Sequence, residues 1–322
     1  MPLPPGHAPI GVFDSGIGGL SVLRALREEL PQERFVYLAD SAHAPYGEKG
    51  ERFVRQRSLA ITRHLVREHA IALLVVACNT ATAAAVNALR ESFPQLPIVG
   101  VEPALKPAAL CSRTGHVGVL ATRGTVQSSR FAELLARQGE RTRFSVQACD
   151  GLAQAIEQAT LPTGDPGQVL EKTRALCARY ISALGSFGTK PGEMDTLVLG
   201  CTHYVFVQPL LQQLAGPEVM LVETGAAVAR QARRKLQQHG LLAEGLHGGR
   251  GEPVRLLTTG SLAALQAAAA RWLALPPEVC SVAALADEAA EPAERPSVQV
   301  TRAAVAAAAP AAGAARAAAQ VK

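Results

Sequence analysis

Two short stretches of this 322-residue chain carry residue types that can do acid–base chemistry at carbon. Cys78-Asn79-Thr80 ends an apolar run over residues 72–77, and Cys201-Thr202-His203 ends the run TLVLG at 196–200. A lone cysteine is usually a small buried hydrophobe. Two at matching positions, each followed by amide or hydroxyl side chains, point to chemistry. A free thiol has a pKa of about 8.5, so local charge can make it an acid or a base near neutral pH. A helix N-terminus after the strand would favour thiolate. If the two thiols oppose each other, one removes a proton from carbon and the other returns one from the opposite face. The stereocentre is then inverted. Asp14 is a candidate to orient or deprotonate one thiol, and His203 to serve the other. Ser15, Asn79, Thr80, Thr202 and backbone N–H groups at helix starts are candidates to hold a substrate carboxylate.

Open α/β sheets bind ligands at the carboxyl ends of their strands, so the elements around these residues matter. Continuous apolar runs predict buried parallel strands at 10–13, 35–39, 72–77 and 97–101. Helical spacing predicts helices at 20–30, 51–69 and about 82–91 between them. The pattern then restarts with strands at 116–121, 144–149 and 196–200, and helices through Phe131 and Leu135, at 168–184 and from 206. Gly11-Val12-Phe13 with Gly16 aligns with Gly118-Val119-Leu120 and Gly124, and VVACNT aligns with VLGCTH. One diverged unit used twice explains both alignments. A strand at 219–222, a helix at 225–239, a strand at 254–258 and a helix at 261–273 are predicted to return to the first sheet. The expected fold is α/β, with two similar open parallel-sheet domains related by pseudo-twofold symmetry and the active site between them. The first domain is expected over residues 8–103 plus 214–274 and the second over 104–213, with an Ala-rich, disordered tail at 281–322.

Composition removes other classes. The chain is 48% apolar with only 13 aromatic residues, and its six cysteines include no CxxC pair. That excludes a disulfide scaffold, a zinc ribbon and a thioredoxin-type motif. The net charge of +5 includes Arg230, Arg233, Arg234 and Lys235, and Arg52, Arg55, Arg63 and Arg67, which read as solvated helix faces. Nucleic-acid binding is not expected without denser basic stripes and stacking aromatics. A modest positive field suits a small anionic substrate. No charged leader precedes an apolar core and no apolar run reaches about 18 residues, so neither a signal peptide nor a membrane span is expected. The expected compartment is the cytoplasm, with reduced thiols. Gly16-Ile17-Gly18-Gly19 imitates a dinucleotide fingerprint, with Asp40 at a distance that suits a ribose contact. Ser21 stands where the third glycine belongs, so no nucleotide is expected. Cys201 and His203 lack a second ligand pair, so no metal is expected. Cys111, Cys149, Cys177 and Cys280 read as packing or surface residues.

The chain resembles the glutamate racemases of the aspartate/glutamate racemase superfamily, which supply D-glutamate for bacterial peptidoglycan without a cofactor. The likeness covers about residues 10–274. It is carried by GVFDSGIGGLSVLRAL (11–26), DSAHAPYGEKG (40–50), VVACNTATA (75–83), GVEPALKPA (100–108), LGCTHYVFVQPLL (199–211) and, more weakly, TTGS (258–261). The resemblance implies Cys78 as the thiol acting on D-glutamate and Cys201 as the one acting on L-glutamate, assisted by Asp14 and His203. It implies substrate contacts at Asp14, Ser15, Tyr46, Gly47, Asn79, Thr80, Thr202 and His203, no cofactor and a homodimer. Where the family has a Pro-rich segment leading to a glutamate, this chain reads CDGLAQAIE, which makes Glu157 the candidate equivalent. Glu223-Thr224-Gly225 replaces an acidic Ser-Gly, and Ser261 replaces the acid after TTG. The alternatives are an aspartate or hydantoin racemase of the same superfamily and, in a different class, a gyrase-binding or other non-catalytic role. His203 after Cys201-Thr202 favours glutamate, because aspartate enzymes resemble Cys-Thr-Glu there.

Overall fold

The structure is a computed structural model that describes residues 8–138, 141–159, 166–243 and 254–285. In chain order these form β1 (Ile10–Asp14), α1 (Leu20–Glu29), β2 (Phe35–Ala39), α2 (Glu51–His69), β3 (Leu73–Val76), α3 (Asn79–Ser92), β4 (Ile98–Gly100) and α4 (Leu105–Cys111). There follow β5 (His116–Ala121), α5 (Arg123–Val126), α6 (Ser129–Ala136), β6 (Arg143–Ala148), α7 (Leu152–Gln158), α8 (Pro166–Leu184), β7 (Thr196–Gly200) and α9 (Gln208–Ala215). The last elements are β8 (Met220–Val222), α10 (Gly225–Gln238), β9 (Val254–Thr258), α11 (Leu262–Leu273) and β10 (Cys280–Val282).

The strands form two parallel sheets. The first runs β10-β9-β2-β1-β3-β4 and the second β6-β5-β7-β8. The segment β2-β1-β3-β4 therefore corresponds strand for strand to β6-β5-β7-β8, and the two cysteine-bearing strands, β3 and β7, occupy equivalent places. The internal repeat expected from the sequence is visible in this order.

Burial on both faces explains the continuous apolar strands. In β1, Ile10 and Val12 point toward a layer containing Leu20, Leu23 and Leu26 of α1, Val228 and Leu236 of α10, and Leu265 of α11. Phe13 points the other way, against Val54, Ile61 and Leu65 of α2 and Ala85 and Leu89 of α3. The alternation follows from the two-residue period of a strand. In the second sheet Leu120, Leu197 and Leu199 meet Leu152, Ile156, Ile181 and Leu211. Val117, Val119 and Val198 meet Leu105 and Phe131. Fully burying one such side chain contributes about 1.5–3 kcal/mol.

Two expectations are corrected. The strand at 219–222 does not return to the first sheet: Met220–Val222 pairs in parallel with Thr196–Val198 of β7. A βα repeat places its last strand beside its neighbour in the same sheet, and β8 completes that repeat. Ser281 and Val282 are not tail: with Cys280 they pair in parallel with Leu256–Thr258 at the edge of the first sheet. The rest of the Ala-rich segment, from 286, lies outside the described residues. None of the described helices is long and apolar enough to cross a membrane.

Candidate active site

Parallel register decides where the site lies. Asp14 pairs opposite Ala39, and Phe13 opposite Val76. Asp14-Ser15, Asp40 and Cys78 therefore leave the first sheet at one end. In the second sheet Ala121 lies opposite both Ala148 and Gly200, so Thr122, Cys149 and Cys201 leave together. The two ends meet around a void of about 260 Å³, partly open to solvent, lined by Asp14, Ser15, Pro45, Tyr46, Gly47, Cys78, Asn79, Thr80, Thr122, Ala153, Cys201, Thr202 and His203. It brings together every site residue expected from the sequence except Glu157, which lies one hydrogen bond behind it.

Cys78 caps α3. Its backbone is extended, and its Sγ accepts a hydrogen bond from Ala81 N at 3.4 Å, where Ser, Thr, Asp or Asn would ordinarily sit. The thiol also reaches Ser15 Oγ at 3.9 Å. Asp14, fully buried, accepts from Ser15 N at 2.6 Å and Ser15 Oγ at 3.2 Å, and from Thr202 Oγ1 at 3.1 Å. Burial pushes the Asp14 carboxyl up, against the opposing charge of His203. A helix terminus alone would lower the thiol of Cys78. Burial and the nearby Asp14 instead push it well above its ordinary value, and the Ala81 N–H only partly offsets them. The expected lowering is outweighed at this cysteine.

Cys201 is differently served. It opens a short 3₁₀ turn, Thr202–Val207, rather than an α-helix, and receives no capping bond. Its Sγ lies 3.8 Å from His203 Nδ1, and His203 Nε2 lies 2.6 Å from Glu157 Oε2. Burial would lower the imidazole pKa, but Cys201 and Glu157 together hold it well above the ordinary value. Glu157 comes from α7 of the second sheet and also accepts from Ile17 N, at 3.2 and 3.1 Å, and from Ser41 Oγ at 3.3 Å.

The glycine run serves this approach. A Cβ on Gly16 would sit 2.5 Å from both Glu157 oxygens, and one on Gly18 would sit 2.7 Å from Thr202 Oγ1 and collide with the His203 ring. These glycines let the β1 loop touch the second sheet, which accounts for the imitation of a nucleotide fingerprint. On the other side, the hydroxyls of Thr80, Thr122 and Thr125 form a cluster, with Thr80 to Thr122 at 2.8 Å and Thr122 to Thr125 at 3.0 Å. Gly151 N donates to Glu48 Oε1 at 2.8 Å, another link between the loops of the two sheets. Asn79 is 4% exposed, and its Oδ1 and Nδ2 have no partner among the described residues. That leaves one donor group and one acceptor for a ligand.

Thr122 was readable only as the counterpart of Ser15, just past the end of β5. Asp40 was readable only as part of the motif DSAHAPYGEKG and as the ribose contact of a nucleotide fingerprint that Ser21 breaks. The structure makes Asp40 a hub: it accepts from Tyr46 Oη at 2.5 Å, Arg57 Nε and Nη2 at 3.0 and 2.8 Å, and Thr259 Oγ1 at 2.8 Å. Cys149 and Cys177 are buried, with thiols pushed up to about 12 and about 11 by burial, and Cys111 is exposed. Among the described residues, no three His, Cys, Asp or Glu side chains are grouped to hold a metal ion.

Comparison with known proteins fits this geometry. The family model described as Asp/Glu/Hydantoin racemase matches residues 10–232. A glutamate racemase of Ectopseudomonas mendocina is 53% identical over 237 residues, covering 74% of this chain and 85% of that protein. Among solved structures, a glutamate racemase isoform from Bacillus anthracis superposes with a TM-score of 0.73 at 30% identity, covering 86% of this chain and 97% of that one. Escherichia coli glutamate racemase, crystallised with L-glutamate and the activator UDP-MurNAc-Ala, superposes with a TM-score of 0.69 at 34% identity, covering 82% and 95%. The repeated sheet, the paired cysteines and identity sustained over this much of the chain lead to one conclusion: the protein belongs to the Asp/Glu/Hydantoin racemase family, among its glutamate racemases.

Proposed function

We propose that this protein interconverts L- and D-glutamate by moving the Cα proton between two thiols on opposite faces of the substrate. The observation that supports this most is that Cys78 and Cys201, at equivalent strand ends, line one void and have separate polar partners. Starting from L-glutamate, the Cys201 thiolate takes the Cα proton and the electron pair stays on carbon, delocalised into the α-carboxylate. The Cys78 thiol then delivers its proton to the other face. Cys78 is left as thiolate and Cys201 as thiol, the state from which D-glutamate reacts. Each positioned proton transfer of this kind is worth about 10²–10⁴ in rate.

The surrounding groups have distinct parts in this reading. His203, kept cationic by Cys201 and Glu157, stabilises a thiolate at Cys201. Asp14, raised by burial, exchanges a proton with Cys78. Backbone N–H groups at the start of α3, Ser15, Tyr46, Gly47, Thr80, Thr202 and the free amide of Asn79 bind the carboxylates and ammonium. No cofactor takes part. The two sheets act as two domains, the first from residues 8–103 and the return from α10 onward, the second from 104–213 together with β8. The protein works in the cytoplasm as a homodimer and supplies D-glutamate to peptidoglycan synthesis.

The test is to incubate each enantiomer with the protein in heavy water. Both are expected to racemise and take up deuterium at Cα, and Cys78→Ala and Cys201→Ala are each expected to stop racemisation. No exchange with either enantiomer, or full racemisation by both variants, would refute the reading. Aspartate run in parallel separates the nearest alternative.

A further inference from the structure

The loop from Asp40 to Glu48 supplies three of the residues that wall the void, Pro45, Tyr46 and Gly47. Ser41 and Glu48 tie this loop to the second sheet layer through Glu157 and Gly151, and one carboxylate, Asp40, ties it to the first. Asp40 is fully buried, and both oxygens are used. Oδ2 accepts from Tyr46 Oη at 2.5 Å and Arg57 Nε at 3.0 Å. Oδ1 accepts from Arg57 Nη2 at 2.8 Å and Thr259 Oγ1 at 2.8 Å, and faces His43 Nδ1 at 3.1 Å. Arg57 reaches in from α2 and Thr259 from the end of β9, so two elements of the first sheet layer are fixed to the loop through one group. Thr259 Oγ1 also accepts from Ala42 N at 3.2 Å. The Tyr46 hydroxyl is committed to Asp40, so this bond fixes the segment through which Tyr46 and Gly47 line the void.

The acid–base groups come from other segments. Asp14, Cys78, Cys201 and His203 lie at the ends of β1, β3 and β7; Asp40 N donates to the Asp14 carbonyl at 3.0 Å, but the side chains of Asp40, Arg57 and Thr259 bond to none of these four side chains among the described hydrogen bonds. We propose that Asp40 and Arg57 are positioning residues that set glutamate affinity by fixing the Tyr46-Gly47 wall of the site. A bidentate arginine–carboxylate pair suits this task, because it fixes orientation as well as distance. The proposal rests on the reading of the void as a glutamate site. The arginine also offsets burial, which would raise the Asp40 carboxyl; its hydrogen bonds and that of Tyr46 hold the group below the usual carboxylate range instead.

The experiment compares steady-state racemisation of L-glutamate by the unsubstituted protein with that of Asp40→Asn, Arg57→Met and Thr259→Val. Asp40→Asn and Arg57→Met are expected to raise KM at least 10-fold while kcat stays within 3-fold. Thr259→Val, which preserves shape and removes the bond to Asp40 together with the one from Ala42 N, is expected to raise KM about 3-fold. It keeps the proposal open to test if the charge variants do not fold. Arg57→Met combined with Tyr46→Phe is expected to raise KM less than the product of the two single effects, since both act through Asp40. Unchanged KM in the folded variants, a loss confined to kcat, or independent effects of Arg57 and Tyr46 would overturn the proposal. Failure of the unsubstituted protein to racemise glutamate would instead remove the site reading beneath it, and the proposal with it.

Discussion

The Nε2 atom of His203 lies 2.6 Å from Oε2 of Glu157, although the two residues are 46 positions apart in sequence. The other ring nitrogen faces Cys201 Sγ at 3.8 Å. The imidazole is thus held between the Glu157 carboxylate and the Cys201 thiol, and its orientation is fixed from behind.

Glu157→Gln removes the charge that helps keep His203 protonated. His203 has a folded pKa raised above its ordinary 6.5. Its protonation therefore contributes stability that is full below about pH 6.5 and is lost as pH rises through the higher folded value. In Glu157→Gln that contribution shrinks, so the stability difference from the parent is expected to be largest near pH 6 and smallest at high pH. The loss near pH 6 is expected to be about 1–3 kcal/mol, measured by urea unfolding across pH. The same variant is expected to lower kcat about 10- to 100-fold. A stability difference that does not vary with pH would contradict this account of the pair.

Gly18→Ala tests the close approach of the two sheets. Its new methyl would lie 2.7 Å from Thr202 Oγ1 and against the His203 ring. Overpacking of this kind costs about 1–3 kcal/mol. Here it displaces His203, so kcat is expected to fall about 100-fold in a protein that still folds. Gly50→Ala is the control, since nothing lies within 4 Å of the added methyl. It is expected to keep kcat within 2-fold. Equal activity of the two variants would mean that the glycine run does not position the imidazole.

Asp14→Asn separates stability from activity. Burial raises the Asp14 carboxyl, and His203 only partly opposes it. For a group raised in the folded state, the favourable contribution is present below the unfolded pKa and is lost as pH climbs through the folded one. At neutral pH a charged Asp14 therefore costs stability. Asp14→Asn is expected to unfold at an equal or higher urea concentration at pH 7, by up to about 1 kcal/mol, while racemisation falls at least 100-fold. Stability lower by more than about 2 kcal/mol would show Asp14 to be a structural group instead.

The sequence showed what depends on local spacing. The strand ends bearing Asp14, Cys78 and Cys201 were legible because buried parallel strands are continuous apolar runs that stop where the polar residues begin. Helix α2 was legible at both ends from the helical spacing of its apolar residues. What depends on pairing over long separations was hidden. Glu157 finds His203 through the packing of α7 against the turn at 202–207, and no spacing within the chain announces it. The role of Asp40 needs Arg57 and Thr259, which lie 17 and 219 positions away. Strand β8 is three residues long and half-exposed, so its sequence does not distinguish one sheet from the other. Cys280–Val282 sits next to an alanine-rich segment whose composition masks a short edge strand.

The central claim is that the two thiols work on opposite faces, each as base toward one enantiomer. The most direct measurement is the early time course of L-glutamate in heavy water, with deuterium at Cα followed separately in product and in remaining substrate. Two bases predict that newly formed D-glutamate carries one deuterium, supplied by the thiol of Cys78, while the remaining L-glutamate is almost unlabelled. Substrate that gains deuterium as fast as product appears would mean that one base serves both faces, and would contradict the account.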